Sequence, residues 1–257
     1  MPYALVTGAS KGIGRAIAIS LAKRNYDLII IARSKDLLEQ LATELIDEYK
    51  VNVQYFSIDL AVPNAAGVIL NWCNQNNFTI SILVNNAGYG MAGLFEKYTW
   101  EQHKEMMTVN MNMPLQMILC FLPMLKQQKQ AYILNIISTT AYQPLPKMAT
   151  YAASKSFMLS FTRAFQYEMR NTNVSVTAVS PGSTDTDFVK RAEMGPKALK
   201  NAGKFNMTAG AVAEIAVRSM FNKKVEVITG LSNKFGAFMA WLLPKRFIES
   251  TAAGFYD

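Results

Sequence analysis

Cysteine and histidine are scarce in this chain, which has two cysteines and one histidine among 257 residues. Cys73 and Cys120 lie far apart and within apolar helical patterns. We therefore expect buried free thiols rather than a disulfide framework, and a cytoplasmic location. His103 lies in the polar start of a helical pattern and is expected at the surface. No metal site is predicted.

Membrane-spanning segments are not expected either. Spanning a bilayer takes about 18 or more uncharged apolar residues in a row, and we expect no run of that kind in this chain. The N-terminus runs from Met1 directly into an apolar segment that ends at Gly8. That segment is too short for a signal peptide and looks like a first strand.

Charged residues make up only 17% of the chain, but the basic ones predominate and give a formal net charge of +8. Such a balance suits a phosphorylated ligand, an anionic membrane surface or a nucleic acid. Dense clusters of Lys and Arg with interleaved aromatic residues are absent from the sequence. Nucleic acid is therefore the weakest of the three and is not predicted as a partner.

The order of apolar segments indicates the fold class. A chain of 257 residues with 51% apolar content fits one α/β domain with a substantial core. Short β-branched runs alternate with amphipathic stretches, which favours a doubly wound parallel sheet of about seven strands flanked by helices. The predicted strands are Tyr3–Thr7, Asp27–Ala32, Asn52–Ser57, Ile80–Asn85, Ala131–Ser138, Ser175–Ser180 and Val225–Thr229. The predicted helices include Ile13–Arg24, Ser34–Tyr49, Trp100–Lys126, Tyr151–Arg170 and Ala209–Met220.

The least regular segment is 181–207, which contains proline, glycine and several charges. Because it follows a predicted strand, it should overhang the carboxyl edge of the sheet, where ligands bind in such folds. We predict a substrate lid here, and an ordinary surface excursion is the alternative.

A glycine-rich turn, TGASKGIG, runs from Thr7 to Gly14 between the first strand and the first helix. Glycines at this place permit a tight turn and let a pyrophosphate approach backbone N–H groups at a helix N-terminus. The spacing is GxxxGxG rather than the common GxGxxG. In its strand–turn–helix context the turn predicts a dinucleotide site.

The end of the second strand indicates which dinucleotide binds. NAD-binding folds usually carry an acidic residue there for the ribose hydroxyls, whereas this chain has Ala32 and Arg33. A guanidinium suits the 2′-phosphate of NADP, and Lys11 in the glycine turn could reach the same phosphate. We therefore predict NADP(H); the alternative is that both cations are solvated surface charges.

Two further polar motifs follow the third and fourth strands. Asp59 either bonds the adenine amino group or serves a turn or cap. In the NNAG run, Asn85–Gly88, the Asn side chains can bond neighbouring backbone, and Ala and Gly leave room for a ribose.

Tyr151 and Lys155, in the run YAASK, project from one face of a predicted helix. A phenol alone titrates near pKa ~10, and a fixed ammonium beside it lowers that pKa. The pair is then a proton donor or acceptor for carbonyl and alcohol chemistry. Ser138 lies thirteen residues upstream of Tyr151.

Together these motifs resemble the short-chain dehydrogenase/reductase family, and their order and spacing agree over essentially the whole chain. The resemblance implies a single Rossmann-like domain, residues 1–257, that interconverts a carbonyl and an alcohol with NAD(P). It implies that Tyr151 is the acid in reduction and the base in oxidation. Lys155 would lower the pKa of that tyrosine and hold the nicotinamide ribose, and Ser138 would donate a hydrogen bond to the substrate oxygen.

The resemblance also implies roles for Asn110, which would hold a water that links the lysine to solvent, and for Thr184, which would bond the nicotinamide carboxamide. The predicted catalytic set is Asn110, Ser138, Tyr151 and Lys155. The predicted cofactor-binding set is Gly8, Ser10, Lys11, Gly12, Ile13, Gly14, Arg33, Asp59, Leu60, Asn86, Ala87, Gly88, Tyr151, Lys155, Pro181, Gly182 and Thr184.

We expect an NADPH-dependent reductase of an apolar carbonyl substrate, which could be ketoacyl, lipid-like or another hydrophobic ketone. The alternatives are an NADP-dependent dehydrogenase of a small hydroxy acid or sugar alcohol, and a non-catalytic NADPH-sensing protein. The family's two long helices often form subunit interfaces, so a homodimer or homotetramer is expected. Residues that could form an apolar substrate pocket, or merely pack, are Tyr89, Met91, Tyr142, Met148 and Phe188.

The segment 230–257 is a strongly apolar C-terminal extension that contains Lys245 and Arg246. It is too short to span a bilayer. It could lie peripherally in a membrane interface, cover a long-chain substrate or pair with another subunit.

Overall fold

A parallel sheet forms the centre of the computed structural model, which describes residues 2–186, 188, 192 and 206–256. The strands are β1 (Tyr3–Thr7), β2 (Leu28–Ala32), β3 (Val53–Ser57), β4 (Ile80–Asn85), β5 (Ala131–Ile136), β6 (Val174–Ser180), β7 (Thr184–Asp185), β8 (Met207–Thr208) and β9 (Glu226–Ile228). Seven of them form the sheet in the order β3-β2-β1-β4-β5-β6-β9 with every pairing parallel, and among the described residues β7 and β8 form a separate parallel pair. The predicted doubly wound sheet is confirmed, and each predicted strand matches an observed one to within two residues at either end.

Helices cover both faces of the sheet. They are α1 (Gly12–Ala22), α2 (Lys35–Tyr49), α3 (Ala65–Gln75), α4 (Trp100–Met107), α5 (Met113–Lys126), α6 (Ala149–Met169), α7 (Ala209–Phe221), α8 (Leu231–Leu242) and α9 (Lys245–Tyr256). One core layer lies between the sheet and α1, α2 and α7, and the other lies between the sheet and α3, α5 and α6. Strand β2, with the sequence LIIIA, is buried at every position because both of its faces are covered.

The expectation that no apolar run is long enough to span a membrane is wrong, because the helical stretch Trp100–Lys126 is long and apolar enough to do so by length and composition alone. Its residues Met113, Met117 and Phe121 are buried against the sheet. A core helix passes the same test, and this burial explains the apolar composition. Met106, which lies earlier in the same stretch, is buried as well.

The prediction that His103 lies at the surface is wrong. The histidine is only 6% exposed, and its ring stacks on that of Phe95 with centroids 4.6 Å apart. Its Nε2 lies 3.1 Å from the Phe95 carbonyl oxygen. Helix α4 begins at Trp100, after a capping box formed by Thr99, and this start turns position 103 inward together with Met106.

Both cysteines are free thiols, as predicted, but they differ in burial. Cys73 is buried, which raises the pKa of its thiol to about 12. Cys120 is only partly buried, so the expectation of full burial holds for Cys73 alone.

Candidate active site

A cavity of about 840 Å³ opens at the carboxyl ends of the strands. It lies where the strand order reverses between β1 and β4, the place where open α/β sheets bind ligands. Its wall includes most of the predicted cofactor set, namely Gly8, Ser10, Lys11, Gly12, Ile13, Arg33, Asp59, Leu60, Asn86, Ala87, Gly88, Tyr151, Lys155, Pro181, Gly182 and Thr184. Gly14 is the member of that set that does not line the wall.

The glycine turn needs its glycines for two different reasons. Gly8 has a φ of +65°, and a Cβ there would lie 2.9 Å from the Ala87 Cα. A Cβ on Gly14 would overlap the carbonyl oxygen of Gly8 and the side-chain amide of Asn86. Gly14 therefore allows close packing inside the turn rather than contact with a ligand.

Hydrogen bonds tie the glycine turn to the NNAG loop. The Thr7 hydroxyl donates to the Val84 carbonyl (3.0 Å) and accepts from the backbone N–H groups of Asn86 (3.0 Å) and Ala87 (3.2 Å). The Asn86 side-chain amide donates to the carbonyls of Thr7 (2.9 Å) and Gly8 (3.2 Å). The side chain of Asn86 thus holds the two loops together, while the residue itself lines the cavity.

The N-terminus of α1 faces a site that suits phosphate. Its N-cap, Lys11, provides no side-chain cap, and the first turn carries no acidic residue. Backbone N–H groups and the positive end of the helix dipole favour an anion at such a place. Glycine suits position 12 because φ is +55° there and a Cβ would lie 3.0 Å from the Thr186 side chain. These residues fit the pyrophosphate of a dinucleotide.

Arg33 and Asp59 meet at the other end of the cavity. The Arg33 Nη1 lies 3.8 Å from the Asp59 Oδ2, and both side chains are about half exposed, so this ion pair is weak. The Asp59 Oδ1 also accepts a hydrogen bond from the Ala61 backbone N–H at 2.9 Å. The Asp59 carboxylate therefore stabilises a turn, which is one of the two roles that the sequence predicts for it.

Tyr151 and Lys155 lie one helical turn apart on α6, and both are nearly buried in the cavity wall. The Lys155 Nζ is 5.9 Å from the centre of the Tyr151 ring and donates to the Ile136 carbonyl at 3.1 Å. Burial lowers the pKa of Lys155 to about 8. At neutral pH the ammonium is still present, but it is poorly solvated and acts strongly on any group that it faces.

Asn110 lies in a π-helical turn, Thr108–Asn112, between α4 and α5. Its side-chain oxygen accepts from the Tyr89 N–H (3.1 Å), and its amide donates to the Tyr89 carbonyl (2.9 Å) and to the Ser154 hydroxyl (3.2 Å). Asn110 is buried and does not reach the cavity wall. It joins the NNAG loop to α6, and a Cβ on Gly88 would lie 3.0 Å from its Oδ1.

Ser138 follows β5 and caps the 3₁₀ turn Thr139–Tyr142 by accepting from the Thr140 N–H at 3.2 Å. It lines the same cavity as Tyr151 and Lys155. A hydroxyl, a phenol and a buried ammonium thus line the same cavity, a set of groups that suits proton transfer to a carbonyl oxygen.

A family model described as short chain dehydrogenase matches residues 2–196. The chain belongs to the short-chain dehydrogenase family. It is therefore an NAD(P)-dependent oxidoreductase that acts on a small-molecule substrate.

Named relatives of this dehydrogenase differ in what they act on. A 7beta-hydroxysteroid dehydrogenase from Clostridium sardiniense is 30% identical over 78% of this chain and 76% of its own length. A very-long-chain 3-oxoacyl-CoA reductase from Laccaria bicolor is 31% identical over 68% of this chain, but only 52% of its own length is matched. A solved short-chain dehydrogenase from Sphingobium yanoikuyae in complex with NADPH superposes with a TM-score of 0.82, at 28% identity over 94% of both chains.

The predicted pocket residues of the dehydrogenase separate into two groups. Tyr89, Met148 and Phe188 line the cavity, whereas Met91 packs behind it. The Tyr142 hydroxyl donates to the carboxylate of Glu226 at 2.6 Å, and burial together with that bond raises the pKa of the phenol. Tyr142 is therefore engaged outside the cavity wall.

Sequence reasoning missed a buried chain of polar side chains that links α6 to β4 and β5. The Asn85 amide donates to the Asn135 side-chain oxygen (2.9 Å), and the Asn135 amide donates to the Thr162 hydroxyl (2.9 Å). The three residues, on β4, β5 and α6, are almost fully buried. A polar side chain inside a buried strand, as at Asn135, is the signal that could have revealed this link.

The predicted lid, 181–207, lies largely outside the described residues. Within the described part, the Phe188 ring packs on the Tyr151 ring with centroids 5.4 Å apart. The Ala92 N–H donates to the Ala192 carbonyl at 3.0 Å. These two contacts join the segment to the cavity wall.

The C-terminal extension also approaches the cavity. Ala252 of α9 packs into the buried cluster that contains Tyr151 and Met148. Helix α8 packs against the 3₁₀ turn that follows Ser138. Both helices of the extension thus pack beside residues that line the cavity.

Proposed function

We propose that this short-chain dehydrogenase is an NADPH-dependent carbonyl reductase, reversible as an NADP-dependent alcohol dehydrogenase, whose substrate has an apolar body. The observation that carries the proposal is that Ser138, Tyr151 and buried Lys155 all line one cavity. When bound, the nicotinamide supplies the hydride in reduction and receives it in oxidation.

The chain's own groups handle the substrate oxygen and its proton. The Ser138 hydroxyl donates a hydrogen bond to that oxygen, and the Tyr151 hydroxyl gives it a proton in reduction or takes one in oxidation. The desolvated Lys155 ammonium stabilises the phenolate that remains after proton donation. Asn110 keeps the NNAG loop against α6 through its bonds to Tyr89 and Ser154.

Support for NADP comes from the basic end of the groove. Arg33 follows β2 at the place where an acidic residue would serve NAD, and Lys11 lies in the glycine turn. The solved relative in complex with NADPH agrees with this assignment.

Support for an apolar substrate comes from the wall around the catalytic tyrosine, where Tyr89, Met148 and Phe188 meet. The relatives named for hydroxysteroid and very-long-chain 3-oxoacyl-CoA chemistry act on substrates with a similar apolar character. A small hydroxy acid has no apolar body to pack against these three side chains.

The proposal includes a homo-oligomer in the cytoplasm. Leu119 of α5 and Tyr167 of α6 are 72% and 62% exposed, and a second copy could cover them.

The test is NADPH oxidation with a panel of bulky apolar ketones, β-ketoacyl thioesters, small keto acids and sugars. We expect the highest kcat/KM with the apolar ketones or the thioesters. The highest value with keto acids or sugars would overturn the substrate class. Tight NADPH binding without turnover of any compound would favour the sensing protein.

A further inference from the structure

Helix α8 presents a broad apolar face to solvent. Leu231, Phe235, Phe238 and Leu242 follow each other at spacings of four, three and four residues, so they form one stripe along the helix. These four side chains are between 52% and 83% exposed. Trp241 adjoins the stripe at 72% exposure, and its ring centroid lies 6.0 Å from that of Phe238. An exposed apolar patch of this kind marks an interaction surface.

The opposite side of α8 is fixed to the fold. Ala240 is buried, and the Asn233 side-chain amide donates to the Thr229 carbonyl at 2.7 Å. The helix also packs against the 3₁₀ turn Thr139–Tyr142. The apolar stripe therefore keeps one orientation relative to the rest of the fold.

The charges beside the stripe indicate what covers it. Lys234, Lys245 and Arg246 are exposed, and Glu249 is the one acidic residue within 231–256. The whole chain carries a formal net charge of +8. If a second copy covered the stripe about a twofold axis, these cations would be concentrated at one interface. An anionic surface would neutralise them instead.

We propose that this face binds the surface of an anionic lipid bilayer, with α8 lying in the plane of the interface. A 12-residue helix is only about 18 Å long, too short for a hydrocarbon core of about 30 Å. Large apolar and aromatic side chains with adjacent cations are typical of helices that lie on a membrane. Because α8 contacts the turn that follows Ser138, the bilayer would lie beside the substrate side of the cavity.

The experiment is flotation of the purified full-length protein with vesicles, without cofactor or substrate, so that its outcome is independent of the proposed reaction. Vesicles of phosphatidylcholine with phosphatidylglycerol are compared with vesicles of pure phosphatidylcholine. We expect binding to the anionic vesicles and a blue shift of Trp241 emission in a variant whose other two tryptophans, Trp72 and Trp100, are replaced by Phe.

Two sets of variants separate the contributions of apolar and basic side chains to vesicle binding. Phe235→Ser with Trp241→Ser should abolish flotation. Replacement of Lys234, Lys245 and Arg246 by Gln should weaken binding at least about tenfold, since each basic residue near an anionic surface contributes to binding. The matched control replaces Lys126, Lys129 and Lys224 by Gln, which removes the same charge from exposed positions at the amino ends of β5 and β9.

NADPH binding and thermal melting confirm that each variant is folded, and light scattering gives its mass. Unchanged mass with loss of flotation supports the proposal. Failure of the wild type to bind anionic vesicles would overturn it, as would equal weakening by both charge triples. A lower mass of the Phe235/Trp241 variant, with no vesicle binding by the wild type, would assign the face to a second copy of the chain.

Discussion

The ring of Phe188 lies against the ring of Tyr151, with centroids 5.4 Å apart and planes inclined at 50°. Phe188 comes from the predicted lid and Tyr151 from α6, so this contact joins two separate segments that line the cavity. A Cβ on Gly90 would lie 2.9 Å from the tip of the Phe188 ring and 2.9 Å from the Met148 side chain. The space for a substrate beside the tyrosine is therefore limited by Phe188.

Phe188→Ala should change substrate selectivity. Removal of the ring opens space beside Tyr151, so bulky ketones gain access while small ketones lose contact. We expect the ratio of kcat/KM for a bulky ketone to that for a small one to rise about tenfold. Phe188→Leu should give an intermediate ratio, and an unchanged ratio in the Ala variant would contradict a role in selectivity.

Arg33→Asp should alter cofactor preference. The change removes a cation from the predicted 2′-phosphate position and places a second carboxylate near Asp59. Titration of cofactor fluorescence should show NADPH binding weakened about tenfold to a hundredfold, the scale of lost charge-assisted hydrogen bonds, with NADH binding little changed.

The matched control for Arg33→Asp is Lys35→Asp. It makes the same change in charge two residues further along the chain, at an exposed lysine that pairs with Glu39. Equal effects of the two variants would mean that general electrostatics, not a direct phosphate contact, decide the preference.

Lys155 should set an upper pH limit for reduction. Its folded-state pKa of about 8 means that the ammonium is present below that pH and is lost above it. We expect kcat/KM for ketone reduction, which reports the free enzyme, to fall as pH rises through about 8. Lys155→Arg keeps a cation to much higher pH, so its residual activity should fall at a higher pH. The same descending limb in the variant would exclude Lys155 as its cause.

Asn110→Ala should destabilise the protein as well as impair catalysis. The change leaves the backbone N–H and carbonyl of Tyr89 without their buried partner, at a cost of about 1–3 kcal/mol in the free energy of unfolding. Asn112→Ala, an exposed asparagine of the same π-helical turn, is the control and should be nearly neutral in chemical denaturation. Equal stability of the two variants would show that Asn110 is not the link between the NNAG loop and α6.

Strand positions and motif positions follow closely from the sequence because they depend on local signals. The β-branched runs of β2 and β4 are buried on both faces, so they are mainly apolar and are recognised without tertiary information. The glycine turn and the YAASK helix are recognised from the spacing of their residues along the chain, without knowledge of tertiary contacts.

Other features depend on tertiary contacts that no local pattern encodes. The polar residues around His103 favour a surface position for this side chain. The capped start of α4 instead turns the His103 ring toward Phe95. The π-helical turn at Asn110 adds one residue to a turn of the helix. A pattern based on the regular helical period does not predict this turn. The approach of Ala252 to the cluster around Tyr151 joins segments a hundred residues apart.

The central claim is that Tyr151 is the acid that protonates the substrate oxygen. The most direct measurement compares NADPH oxidation and NADPH affinity in Tyr151→Phe and in Tyr167→Phe, which changes an exposed tyrosine of the same helix. We expect Tyr151→Phe to lose turnover with NADPH affinity nearly unchanged, and Tyr167→Phe to behave as the wild type. Retained turnover in Tyr151→Phe would contradict that claim.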